Sequence, residues 1–160
     1  MKHLITMVVA LLVGVAQAEQ CRKFTDEQQN VLDEAYAFGL PYNYGYTLAA
    51  IAMKESFVAD RVLRYNPTDP STGVTHIQFN TLKHLSGLGH WDTIELSKEL
   101  IQNDHLSFYY SVKKLDSIRG TFWRKWVGYN GRGHAAEEYA NDIQGIIKMF
   151  KRCGVVGGWG

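Results

Sequence analysis

The segment Leu48-Ala49-Ala50-Ile51-Ala52-Met53-Lys54-Glu55-Ser56 sets a carboxylate on an apolar helix face. Leu48, Ile51, Ala52 and Glu55 fall at i, i+3, i+4 and i+7, so Glu55 shares a side with the residues that seek the core. A carboxylate there is costly unless it is paired or protonated. Burial raises a carboxyl pKa, and a protonated carboxyl is what a general acid at neutral pH requires. The competing reading is a helix-end glutamate turned to solvent or bridged to Arg61 or Arg64. Other chemistries find less support. The chain has six histidines but no His-Glu-x-x-His, and His84 and His90 flank Gly87 and Gly89 as loop residues would, so no metal is expected. There is no Gly-x-Ser-x-Gly nucleophile motif, and no cofactor is expected. Trp123 and Trp126 read as core with Tyr129 at a cleft, and Lys113-Lys114 reads as a solvated helix face.

The elements that must position these residues are helical almost throughout. Thr25-Asp26-Glu27-Gln28 reads as an N-cap with a capping box, followed by Val31, Leu32, Ala35 and Phe38 at helical spacing. Gly39 and Pro41 end that helix. The Glu55 helix runs from about Tyr46 to Phe57. Residues 58–75 form a polar loop around Asn66-Pro67-Thr68-Asp69-Pro70-Ser71, where a short β-hairpin is possible. Further helices are expected at Asn80 to Leu85, from a cap at Asp92 through Ile101, at Leu106 to Ile118, and over Phe122, Trp123, Trp126 and Tyr129. A final helix carries Tyr139, Ile143, Ile146, Ile147 and Phe150. The expectation is a mostly α, single domain over residues 19–160.

The ends of the chain carry their own signals. Lys2, the apolar run Leu4 to Val15 and Ala16-Gln17-Ala18 read as a cleaved signal peptide over residues 1–18, and hence as export. The alternative is an uncleaved anchor, although the run is short of the about 20 residues a bilayer needs. Losing Lys2 takes Lys+Arg from 17 to 16, against 16 acidic residues. A mature chain of zero net charge lacks the basic excess that nucleic-acid binding usually needs. Cys21 and Cys153 are the only cysteines. In an exported chain they suggest one disulfide, with two free thiols as the alternative.

Beyond Glu55-Ser56 and the loop, the order continues with Ser71-Thr72-Gly73-Val74-Thr75-His76-Ile77, then Tyr129-Asn130-Gly131, then Tyr139-Ala140-Asn141-Asp142-Ile143. Over residues 24–150 this ordered set resembles the lytic transglycosylases related to goose-type lysozyme. Their pattern is a helix ending in Glu-Ser, a Gly-Leu-Met-Gln-Ile segment, Ala-Tyr-Asn-x-Gly, and a late tyrosine. The size and cysteine placement are similar to the small members that serve secretion systems, conjugation machines, pili or bacteriophage particles. The resemblance implies a lysozyme-like fold, peptidoglycan glycan strands as substrate, and Glu55 as catalytic acid/base. It implies substrate-binding or positioning roles for Ser56, Gly73, His76, Tyr129, Asn130 and Tyr139. His76 stands where the family has Gln, unless a two-residue shift gives that role to Gln78. Goose-type lysozymes place an acid where this chain has Gln78, and Asp60 and Asp69 read as surface acids, so one carboxyl is expected to do the work. The alternatives are a hydrolysing muramidase on the same fold and a catalytically silent peptidoglycan-binding component of such a machine.

Overall fold

The computed structural model describes residues 21–57 and 70–157. Residues 1–18, Asp60, Arg61, Arg64 and Asp69, to which expectations were attached above, lie outside them. The described residues form seven α-helices and one two-stranded hairpin: α1 (Asp26–Gly39), α2 (Gly45–Ser56), β1 (Ser71–Thr72), β2 (Ile77–Gln78), α3 (Phe79–Ser86), α4 (His90–Gln102), α5 (Asp104–Ser117), α6 (Phe122–Asn130) and α7 (His134–Cys153). This is the mostly α architecture the periodicities predict. The hairpin begins inside the 58–75 loop and ends beyond it.

α1 opens with the expected capping box. The Gln28 amide donates to Thr25 Oγ1 at 3.2 Å, and the Thr25 amide donates to the Gln28 side chain at 3.1 Å. A single 3₁₀ turn, Leu40–Tyr42, and left-handed Asn43 then redirect the chain into α2. α2 is the central helix: Leu48, Ala49, Ala50, Ile51 and Ala52 are fully buried. Three alanines in that run keep the helix slim, so that α1 and α7 can both pack on it. Its neighbours supply Leu32, Phe108, Leu115, Ile143 and Phe150 to the same core.

Two helices start earlier than expected. α4 begins at His90 with Gly89 as N-cap, and Asp92 sits in its first turn instead of capping it. α5 is capped by Asn103, whose side chain accepts from the Leu106 amide at 3.1 Å. The cysteines are bonded: Cys21, ahead of α1, joins Cys153, the last residue of α7, across 132 residues of sequence. No described helix is long and apolar enough to cross a membrane.

Candidate active site

Glu55 is the penultimate residue of α2. The helix that carries it is buried along its length, and it ends at Phe57 in the left-handed conformation, φ 50°. The Glu55 side chain is 16% exposed: sunk against the protein, yet open to a ligand. Ser56 is buried and its hydroxyl donates to the Ala52 carbonyl at 2.9 Å, bracing the last turn of the helix beside Glu55.

The hairpin brings the second group. Ser71 pairs with Gln78 and Thr72 with Ile77, which leaves Gly73 to His76 as the connecting turn. That turn closes with the His76 amide donating to the Gly73 carbonyl at 3.0 Å. His76 is buried, and its Nδ1 lies 3.8 Å from Glu55 Oε2. His76 is thus set against Glu55. Gln78 is half-buried in β2 and precedes α3.

Two tyrosines from the C-terminal helices complete the surroundings. The rings of Tyr129 on α6 and Tyr139 on α7 stack at 6.3 Å, nearly parallel. Burial first, and then the charge of Glu55, push both hydroxyls above the ordinary tyrosine range. Hydrogen bonds from Ser111 and Thr75 partly oppose that rise at Tyr129, while a hydrogen-bonding interaction with Glu55 adds to it at Tyr139. The Tyr139 hydroxyl is sealed from solvent and makes no hydrogen bond of ordinary geometry among the described residues, yet it feels the Glu55 carboxylate. The Tyr129 hydroxyl is instead committed to the hairpin turn: it donates to the Thr75 carbonyl at 3.1 Å and meets Ser111 Oγ at 2.9 Å. Asn130, at the end of α6, is exposed. Gly73 is buried, with φ +78°, and a Cβ built on it would stand 2.6 Å from Ser107 Oγ. The glycine is thus required by its packing on α5 as well as by its conformation.

Several residues of this region escaped the sequence reading. Lys114 does not lie on a solvated face: it is buried, and its ammonium stands 4.2 Å over the Tyr129 ring. Lys113 also reaches inward, donating to the Leu85 carbonyl at 3.0 Å. Thr75, Ser107 and Ser111 are buried around the Tyr129 hydroxyl. The one available signal was Ser107 and Ser111 at i, i+4, which puts both hydroxyls on one face of α5. Trp126 is core, as expected, with its indole N–H donating to Thr47 at 3.2 Å.

The arrangement can hold and exchange one proton at Glu55, beside an imidazole and two phenols. Among the described residues, no three His, Cys, Asp or Glu side chains gather as a metal site would need. A groove of about 530 Å³ between α3 and α4, lined by Thr72, Phe79, Ile94 and Ile101 among others, includes neither Glu55 nor His76 in its walls. Comparison with protein-family models, curated proteins and solved structures gave no match.

Proposed function

We propose that this protein is an exported lytic transglycosylase. It cleaves the β-1,4 bond between N-acetylmuramic acid and N-acetylglucosamine in peptidoglycan and leaves 1,6-anhydromuramyl ends. The observation that carries the reading is Glu55, one-sixth exposed at the end of a buried helix and faced by an imidazole and two phenols. In this mechanism a single carboxyl serves twice. Glu55 gives its proton to the bridging oxygen as the C1–O bond breaks. The acetamido oxygen of the muramyl residue closes on C1 and shelters the positive charge. Glu55 then takes the proton of the C6 hydroxyl, whose oxygen attacks C1 and displaces the acetamido oxygen. No water is consumed. His76, with its side chain only 1% exposed, lies behind Glu55 and acts on the carboxyl and not on the sugar directly. Export is supported by the leader pattern at residues 1–18 and by the disulfide, which persists in oxidising compartments. We assign the protein a local wall-opening role for a secretion, conjugation, pilus or phage assembly, in keeping with its resemblance to the small specialised members of the family.

Mass spectrometry of the muropeptides released from purified sacculi tests this directly. Anhydromuramyl products are expected. Reducing ends would make the protein a hydrolysing muramidase, and binding without cleavage would make it a silent component. Glu55→Gln keeps the shape of the side chain but cannot give and retake a proton. It should lose at least ~10²–10⁴-fold in cleavage rate with unchanged circular dichroism. Near-wild-type cleavage would remove Glu55 from the mechanism.

A further inference from the structure

The turn that carries His76 is held from below by a closed set of hydroxyls. Thr75 is its hub. Its Oγ1 meets Ser107 Oγ at 2.6 Å, donates to the Ser107 carbonyl at 3.2 Å and accepts from Ser111 Oγ at 2.7 Å. Its amide donates to Ser107 Oγ at 3.2 Å, and its carbonyl accepts from the Tyr129 hydroxyl at 3.1 Å. Ser111 Oγ and the Tyr129 hydroxyl oxygen stand 2.9 Å apart, in contact while both give their protons to Thr75. Thr75, Ser107 and Ser111 are fully buried and Tyr129 nearly so. The next residue, His76, holds φ +44°, a left-handed conformation uncommon for a residue with a Cβ. Such a conformation persists where the surroundings over-determine it, and it clusters at functional sites. Here five contacts at Thr75 fix the backbone immediately before the imidazole that faces Glu55.

We propose that the Thr75–Ser107–Ser111–Tyr129 hydroxyl cluster is a positioning device that locks His76 against Glu55, so that the two titrate as one coupled pair. The hydrogen bonds of the cluster run among its own members and the backbone of the turn and of α5. It ties α5 and α6 to the hairpin turn, and the turn delivers the imidazole. This deepens the proposed function, since it rests on Glu55 being the proton donor there. Among the described residues, Tyr129 on α6 and Tyr139 on α7 stand near the pair, both raised in pKa by burial first and then by Glu55. Lys114 on α5 stands across the Tyr129 ring. Raised phenols remain neutral donors through the neutral range.

The test reads the His76 imidazole by NMR across a pH titration, in the full-length mature protein and without substrate. In the wild-type background, Glu55→Gln should lower the His76 midpoint by about one unit, the size expected when an opposite charge within ~4–6 Å is removed. With Ser111→Ala, the same Glu55→Gln change should move the midpoint by less than half as much. Tyr129→Phe is the second, shape-preserving variant and should act in the same direction. Ser97→Ala serves as control: Ser97 is buried on α4 and bonded to Thr93 within its own helix, so its loss should leave the coupling whole. No response of His76 to Glu55→Gln in the wild-type background overturns the proposal at its first step, whatever the cluster variants do. Full coupling in a folded Ser111→Ala or Tyr129→Phe protein overturns the role of the cluster. Because no glycan is present, failure here is separate from failure of the proposed activity. A protein that cleaves nothing can still show the coupling, and one that cleaves peptidoglycan can lack it.

Discussion

An imidazole 3.8 Å from a carboxylate makes the protonation of each depend on the other. A cation on His76 lowers the pKa of Glu55, so the proton that the proposed first step needs is lost at lower pH than it would be beside a neutral partner. The imidazole should therefore shape the alkaline limb of the rate profile, where Glu55 ionises. His76→Gln keeps a donor of similar reach and cannot become charged, so substantial activity should remain and the alkaline limb should move to higher pH. The pH dependence of cleavage by the two proteins checks this, and superimposable profiles would exclude His76. Tyr129 and Tyr139 act at the other end of the scale. Their folded-state pKa values are raised, so above the ordinary ~10 the unfolded chain ionises where the folded one does not. The folded state then holds more protons, and stability must fall as pH rises from about 10. Urea unfolding across that range should show the loss, and Tyr139→Phe should flatten it.

The hairpin turn and α5 meet too closely for any side chain at residue 73. In Gly73→Ala the new methyl would stand 2.6 Å from Ser107 Oγ and 3.1 Å from the Leu100 carbonyl, at a φ that alanine resists. Overpacking and conformational strain together should lower stability by about 2–4 kcal/mol, measurable by denaturant unfolding. An unchanged midpoint would mean that the turn can move away from α5. This contact also marks where sequence reading stopped. The α1 capping box, the apolar face bearing Glu55 and the period of α7 are local patterns, and they are present as read. Glu55, His76, Tyr129 and Tyr139 were singled out by residue type and order along the chain. Their meeting depends on α7 packing on α2 and on α6 packing on α5 and α7, which no local spacing encodes. Lys114 shows the cost of local reading. Two adjacent lysines on a helix look solvated, and only the placement of α6 over α5 buries one of them beneath Tyr129. The start of α4 was misjudged because aspartate is a stronger capping residue than glycine. The chain turns at Gly87, φ +71°, and is already helical at His90.

At the scale of the whole molecule, the Cys21–Cys153 bond ties the segment before α1 to the end of α7 across 132 residues. On the chain-entropy account, closing so long a loop stabilises by about 5 kcal/mol. Reduction, or Cys21→Ser with Cys153→Ser, should lower the Tm clearly while leaving the helical circular dichroism of the folded protein unchanged at low temperature. A reduced protein as heat-resistant as the oxidised one would assign the stability to the core alone. The bond has a geometric corollary. The two cysteines stand 5.7 Å apart at Cα, so the start of the described body and the end of α7 lie side by side. The residues just beyond run on along α1, where Val155 accepts from Gln29 and Val156 is buried. A linker that clears this stretch can join the two sides, and the chain can be reopened at the exposed Gly87–Gly89 turn between α3 and α4. For the same reason the whole body fits as an insert within a surface loop of a larger protein. A host chain would leave and re-enter at nearly the same place, and the insert would add a domain while the rest of the host fold kept its position.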